Sequence, residues 1–168
     1  VLDFMKDILH VAVRAVIIAV VCSLVGLGLN AVSPSGLPLI YTPPEKLVVS
    51  GVSIPLINEV EARRFLEDPS SVFVDTRNEE DFVERHVKGA VFLHPNSVEE
   101  RFPEVQPLIP EESRVILYCY GPECDMAERV AQFLAQLGYK NMMIMSAGFK
   151  SWEKAGFPSE SSKRRERS

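Results

Sequence analysis

The chain is 168 residues long, 46% hydrophobic and 24% charged, with a formal net charge of −5. That length allows one domain of ordinary size with a core, plus extensions at one or both ends. The acidic balance offers a polyanion no footprint, so nucleic acid is not expected as a partner, and the chain carries no internal repeat.

No charged residue occurs from Ala15 to Pro44, and AVIIAVVCSLVGLGLNAV (residues 15–32) is apolar apart from Cys22, Ser23, Asn30 and its glycines. As a helix these residues rise about 27 Å, and a snorkelling Arg14 lets VAV (residues 11–13) lengthen the span. Residues 1–33 are therefore expected to form an N-terminal transmembrane helix, with Cys22 a small, lipid-tolerant side chain. A cleaved secretory signal is the alternative, with Lys6 and Arg14 as its charged flank and Ala31 and Ser33 before the cut; the apolar run is longer than the roughly 7 to 15 residues of a signal core. A buried helix of a soluble protein fits worse, since the segment has no polar face. Lys6 and Arg14 precede the span and the next basic residue is Lys46, which places the N-terminus in the cytoplasm and the remainder on the outer, periplasmic face. Disulfides are permitted there. Signal cleavage would instead release a periplasmic protein.

Residues 34–51 read as a Pro-rich linker, because Pro34, Pro38, Pro43 and Pro44 remove backbone donors and bias their neighbours toward extended conformations. The domain proper is expected over residues 52–158, opening with an edge strand over Val52–Ile57 where Pro55 is tolerable. Asn58 and Glu61 make a capping-box pattern before VEARRFLED. VFVD (72–75) is a short strand, Asn78 is placed to cap a helix, GAVFL (89–93) is a strand, and Asn96 is placed to cap SVEERF. VILY (115–118) is a buried strand, AERVAQFLAQLGY is an amphipathic helix stopped by Gly138, NMMIM (141–145) is a strand and GFKSWEKAG is helical. Met126, Met142, Met143 and Met145 read as core filling rather than copper ligands, and Phe149 and Trp152 as core of the closing helix. SESSKRRERS (159–168) lacks apolar content and is expected to be a basic mobile tail. Strands alternating with helices predict an α/β fold with a mostly parallel central sheet flanked by helices.

Between VILY and the amphipathic helix lies CYGPEC (119–124). A strand-to-helix turn gathers backbone N–H groups that can stabilise a thiolate or bind an anion, which makes Cys119 the candidate nucleophile. Asp125 and Glu128 form a DxxE pattern that suits a helix cap. Glu123 reads as a solvated charge at the loop tip.

The stretch VFVDTRNEEDFVERHVKGAVFL (72–93), with DxR followed by HxxGA, and the stretch from VILYCYGPEC to EKAGFP (115–158) together resemble a single-domain rhodanese. The resemblance covers about Val52 to Pro158. It implies a rhodanese-like fold and a sulfurtransferase, with thiosulfate or a persulfide as donor: Cys119 takes sulfane sulfur as a persulfide, and a thiol or a cyanide-like acceptor removes it. Backbone amides from Tyr120, Gly121, Pro122, Glu123, Cys124 and Asp125 would cradle the sulfur, with no metal or cofactor. In phosphatases and arsenate reductases of this fold the loop ends on an oxyanion-binding arginine six positions after the cysteine; here that position is Asp125, which repels a phosphate, and the loop length suits the sulfurtransferase type. Sulfurtransferases that favour thiosulfate often carry a basic loop residue, absent here, and Arg77 and Arg129 are the candidates to offset Glu123 and Asp125. Asp75, Arg77 and His86 occupy positions that look structural in the family.

Cys124 has two readings. In one it attacks the Cys119 persulfide and leaves a loop disulfide; in the other, preferred here, it is a small side chain that points away and never meets Cys119. Two further functions stay open: a non-catalytic binding module at the membrane that docks a partner through its acidic loop, and a Cys119/Cys124 thiol–disulfide relay with a protein thiol partner. The anchor reading has a direct check: the full-length protein is expected to remain in membranes through high-salt and carbonate washing, whereas release of a shortened chain would identify a signal peptide.

Overall fold

The structure, a computed structural model, describes residues 2–33 and 46–163, which fall in two compact units, Val1–Pro43 and Pro44–Ser168. Pro34, Pro38, Pro43 and Pro44 of the expected linker, and residues 164–168 of the expected tail, lie outside the described residues.

The first unit is helix α1, Leu2–Val32. Its stretch His10–Asn30, 21 residues with a mean hydropathy of 2.4, is long and apolar enough to cross a membrane by length and composition, and none of it is buried in the protein. The helix takes in Val11–Val13, as Arg14 snorkelling requires. Ser23 returns its hydroxyl to the Ala19 carbonyl at 2.8 Å, so its polar group is satisfied within the helix.

The second unit is built on a six-stranded sheet. In chain order its elements are β1 (Lys46–Val49), β2 (Val52–Ile57), α2 (Glu59–Arg63), β3 (Ser71–Asp75), α3 (Glu79–Glu84), β4 (His86–Val87), β5 (Val91–Phe92), α4 (Val98–Val105), a 3-10 turn (Gln106–Leu108), β6 (Arg114–Tyr118), α5 (Met126–Gln136), β7 (Met142–Met145), α6 (Gly148–Lys154) and β8 (Ser159–Glu160). The sheet order is β1-β2-β7-β6-β3-β5. Every pairing from β2 to β5 is parallel, and only β1 runs antiparallel, to β2.

Central strand β6 shows why the sheet is covered on both faces. Val115, Leu117 and Cys119 pack with Val130, Ala131 and Leu134 of α5, while Ile116 and Tyr118 pack with Ala62, Phe149 and Trp152 of α2 and α6. Alternation along the strand thus assigns successive residues to opposite cores, each fully buried aliphatic side chain contributing roughly 1.5–3 kcal/mol. Met142 and Met145 divide between the same two cores. Helix α5 buries Ala127, Val130, Ala131 and Leu134, an i, i+3, i+4, i+7 stripe. It stops at Gly138, whose φ of +101° accompanies bonds from Tyr139 N to Leu134 O and from Gly138 N to Ala135 O, the two bonds of a Schellman motif.

Several local expectations hold and others do not. The Asn58–Glu61 capping box is present with both bonds. Val52–Ile57, expected at the sheet edge, lies inside it: Lys46–Val49 of the expected linker folds back through a two-residue turn, Ser50–Gly51, with positive φ at both positions, as a tight hairpin requires. Pro55 is accommodated because pairing to β7 begins only at Leu56. Ser159 and Glu160, expected in the mobile tail, form β8 against β4, and Glu160 accepts the Gly89 N–H at 3.0 Å. Ser159–Glu160 has no apolar content to signal it and is recruited by backbone groups on a neighbouring strand, whereas the apolar run of Leu47, Val48 and Val49 before Ser50–Gly51 was passed over within the Pro-rich stretch. Asn78 stands at the N-cap of α3 without a side-chain capping bond. Asn96 does not cap α4: Ser97 holds that position, and Asn96 Oδ1 accepts from Arg129 Nη2 at 3.1 Å instead.

Asp68 ties the start of β6 to the turn before β3. Its carboxylate accepts from Ser70 N at 2.9 Å, Ser70 Oγ at 2.7 Å and Arg114 Nη1 at 2.7 Å, and the Ser70 hydroxyl and N–H bonds, with smaller help from Ser71 and Arg114, hold it at about 2 against an ordinary 3.8. A depressed carboxylate stabilises the fold above the unfolded value and loses that contribution as pH falls through the folded one. Asp68→Asn is therefore expected to lower the unfolding midpoint at neutral pH, with the gap to the parent closing between about pH 4 and pH 2 in a denaturation series.

Candidate active site

The parallel strands deliver their carboxyl ends to one edge, where ligands of open α/β sheets bind. Strand β6 ends at Tyr118 and α5 begins at Met126, so residues 119–125 form a loop at that edge. Cys119 is 3% exposed and its carbonyl accepts from Phe149 N at 2.8 Å, while the Tyr120 carbonyl accepts from Lys150 N at 3.4 Å. The first turn of α6 therefore holds the base of the loop.

Gly148 makes that contact possible. Its φ is +68°, and a Cβ there would stand 2.4 Å from Gly121 N and 2.5 Å from the Tyr120 carbonyl carbon and oxygen. Only glycine allows both the conformation and the approach. The sequence reading missed this residue, placing Gly148 simply within a helical stretch; the available signal was a glycine at the junction of NMMIM with the closing helix.

The loop itself curls through a turn in which Cys124 N donates to Gly121 O at 3.1 Å. That curl brings Cys119 and Cys124 to a Cα separation of 6.2 Å, and their sulfurs are joined as a disulfide. The preferred expectation, a Cys124 pointing away, is thereby corrected: a six-residue segment containing a turn returns its last residue to its first. Among the described residues, the N–H groups of Tyr120, Gly121, Glu123 and Asp125 make no hydrogen bond within the protein. The expected cradle needs trimming, because Pro122 has no N–H and the Cys124 N–H is consumed by the turn.

Asp125 is the N-cap residue of α5 but adopts helical dihedrals (φ −88°, ψ −3°) and makes no side-chain capping bond. The expected capping box with Glu128 is therefore absent, since a capping side chain needs an extended backbone at that position.

Beneath the loop lies a buried polar network. Asp75 is fully buried and Arg77 is 5% exposed. Arg77 Nη2 donates to Asp75 Oδ2 at 2.8 Å and to the Arg85 carbonyl at 2.6 Å, and Nε donates to Asp75 Oδ1 at 3.1 Å. The Tyr118 hydroxyl donates to Asp75 at 2.8 Å and accepts from Val87 N at 3.1 Å. The Phe149 ring lies 4.0 Å from the guanidinium carbon. Burial alone would lower the Arg77 guanidinium, but the hydrogen bonds and charge of Asp75 outweigh it and hold the group above its ordinary value. Burial first, then the Asp75 charge, pushes the Tyr118 phenol well above its usual range. Both groups stay protonated as donors, so this network is scaffolding, in line with the family reading of DxR.

A cavity of about 430 Å³ opens beside the loop, lined by Arg77, Asp81, Glu84, Arg85, Tyr120, Phe149, Lys150 and Glu153. Tyr120 donates its hydroxyl to Asp81, and burial followed by that bond raises its phenol. Arg85 pairs with Glu153 at 3.2 Å. Of the cations expected to offset the acidic loop, Arg77 lines this cavity but is already neutralised by Asp75, and Arg129 is engaged by Asn96. Lys150, which the sequence reading did not single out, lines the cavity and forms no ion pair among the described residues. His86 is elsewhere: it is 3% exposed, stacks on Phe82 at 3.9 Å and donates Nδ1–H to the Phe82 carbonyl at 2.6 Å.

The Gly148 contact has a matched control in Gly156, which has φ +70° but nothing within 4 Å of its Cβ position. Gly156→Ala is expected to cost only the conformational penalty, roughly 1–2 kcal/mol. Gly148→Ala should cost clearly more in denaturant unfolding and should slow closure of the Cys119–Cys124 disulfide in a glutathione redox buffer; equal effects of the two changes would refute the close-approach argument.

The model of the rhodanese-like domain family matches residues 58–155. The thiosulfate sulfurtransferase GlpE of Haemophilus influenzae is 34% identical over 88 residues, which are 52% of this chain and 78% of that protein. Arsenate reductase 2.2 of Oryza sativa is 29% identical over 102 residues (55% and 77%), and the dual specificity phosphatase Cdc25 of Arabidopsis thaliana is 24% identical over 127 residues (70% and 85%). In fold, the chain is similar to the BH2092 protein of Bacillus halodurans (TM-score 0.56, 24% identity, covering 64% of this chain and 77% of that one). It is also similar to the rhodanese-like domain of the Anabaena Alr3790 protein (TM-score 0.53, 19% identity, covering 64% and 79%). With a cysteine loop at the carboxyl edge of a mostly parallel sheet and a family match across more than half its length, this chain belongs to the rhodanese-like domain family.

Proposed function

We propose that the protein is a membrane-anchored sulfurtransferase in which Cys119 carries sulfane sulfur. The observation that carries this reading is the position of Cys119 directly after β6, at the head of a loop whose Tyr120, Gly121, Glu123 and Asp125 amides make no hydrogen bond among the described residues and which leads into the 11-residue helix α5. N–H groups and a helix N-terminus favour a thiolate and a persulfide anion. The Cys119 thiolate, once the loop disulfide is reduced, attacks the outer sulfur of thiosulfate or of an organic persulfide; sulfite or a thiolate leaves, and Cys119 holds a persulfide. A thiolate or cyanide then takes the terminal sulfur and Cys119 returns to the thiolate.

The relatives include enzymes named for arsenate reduction and phosphatase activity, and a feature of this loop weighs against both chemistries here. Asp125 occupies the position expected for the oxyanion-binding arginine, and a carboxylate repels a doubly charged oxyanion. Thiosulfate carries the same double charge and meets the same carboxylate; the cation nearest to hand for it is Lys150, which lines the adjoining cavity and forms no ion pair among the described residues. The helix His10–Asn30 serves as the anchor in this reading. Lys6 before it, Arg14 in its first turns and Lys46 after it favour a catalytic unit on the outer, periplasmic face, a compartment that tolerates the Cys119–Cys124 disulfide.

The test is an intact mass of the reduced, desalted protein after incubation with thiosulfate or glutathione persulfide, beside Cys119→Ser. The parent is expected to acquire sulfur and the variant none. Sulfur uptake that survives loss of Cys119 would overturn the assignment.

A further inference from the structure

We infer that Cys124 is a resolving thiol that discharges the Cys119 persulfide as sulfide, giving the loop a second activity, persulfide reduction, alongside sulfur transfer. The inference rests on Cys119 carrying sulfur, and the geometry of the loop supplies the rest. The 121–124 turn, closed by the 3.1 Å bond from Cys124 N to Gly121 O, sets the two Cα atoms 6.2 Å apart, inside the range a disulfide spans. The backbone at Gly148 lies so close to the Tyr120–Gly121 peptide that a Cβ there would stand 2.4 Å from Gly121 N, which fixes the base of the curl.

Accessibility separates the two reactions. A persulfide on Cys119 has an inner sulfur, Sγ, and a terminal one. Cys119 is 3% exposed, so an external acceptor meets the terminal sulfur and completes transfer. Cys124, half-buried and in the same loop, is bonded to the inner sulfur itself in this structure. Two residues ahead of α5, its thiol also lies where a helix N-terminus favours the thiolate.

In the resolving step the Cys124 thiolate attacks Cys119 Sγ, the Sγ–S bond breaks, and the terminal sulfur leaves as hydrosulfide with its proton. The sulfane sulfur is reduced to sulfide while the two thiols are oxidised to the disulfide. With an organic persulfide as donor the sum is persulfide plus two protein thiols giving a thiol, hydrogen sulfide and the loop disulfide. A dithiol reductant reopens the loop by exchange, becoming a disulfide itself. Without that reductant the oxidised loop cannot accept sulfur, so transfer stops when reducing power runs out.

The experiment uses the full chain in detergent, reduced, desalted and kept anaerobic, with glutathione persulfide as the probe, and follows intact mass and free sulfide. The parent is expected to release about one equivalent of sulfide per chain and to end two hydrogens lighter than its reduced form, with Cys119 and Cys124 linked. Cys124→Ser and Cys124→Ala are expected to keep the extra sulfur and to release it only when an acceptor thiol is added. A parent that retains its persulfide as long as these variants do overturns the resolving role while leaving the carrier role of Cys119 intact. No uptake by any of the three proteins overturns the carrier reading, and the resolving role falls with it.

Discussion

The Asp75 carboxylate is fully buried, and an isolated charge in such a place would cost several kcal/mol. It is tolerated because Arg77 faces it with two nitrogens, the Tyr118 hydroxyl donates to it, and the Arg77 backbone N–H does so as well, at 2.9 Å. Through these partners the carboxylate connects different pieces of the domain. Tyr118 closes β6, its oxygen holds Val87 of β4, the guanidinium holds the Arg85 carbonyl, and the Phe149 ring of α6 covers it. The carboxyl edge of the sheet is thus tied to the helix whose first turn grips the cysteine loop.

From that fixed edge the loop acquires its chemistry. Phe149 N and Gly148 hold the Cys119–Gly121 segment from one side, and α5 begins immediately beyond Asp125. Four loop amides are left without a partner among the described residues because the backbone is curved too tightly for a ladder and too early for the helix. Tyr120, Glu123 and Asp125 are exposed residues and Gly121 is half-buried, so these N–H groups are open to water or to an anion. The same curvature returns Cys124 to Cys119, so in the proposed function the loop that would hold a persulfide also places a thiol where it could end one. With acidic side chains at positions 123 and 125, the proposed function leaves the amides, and Lys150 nearby, as the attraction for a sulfur anion.

What could be read directly from the amino-acid sequence was whatever depends on neighbours a few residues away. The alternating and continuous apolar runs identified β3, β6 and β7, the stripe of Ala127, Val130, Ala131 and Leu134 identified α5, and Asn58 with Glu61 identified the start of α2, because strand pleat, helical period and capping act within one or two turns. The unbroken apolar segment before Pro34 was equally plain, since length and hydropathy are additive. Cys119 stood out because strand, cysteine, turn and helix follow one another without interruption.

Tertiary structure decided the remainder. Ser159–Glu160 became a strand because β4 offered backbone partners, which no side-chain pattern records, and Lys46–Val49, apolar in three of its four residues, became one by pairing back on β2. Asp125 and Asn96 carry capping side chains, yet the backbone at Asp125 was already helical and Asn96 was drawn to Arg129. Arg77, read in the sequence both as a structural DxR partner and as a candidate offset to the acidic loop, is engaged by Asp75, while Lys150, unremarked there, is carried to the cavity by α6. Gly148 and the meeting of Cys119 with Cys124 depend on distances across a folded loop, and a linear pattern holds residue types and spacings but not the curvature that turns a spacing into a contact.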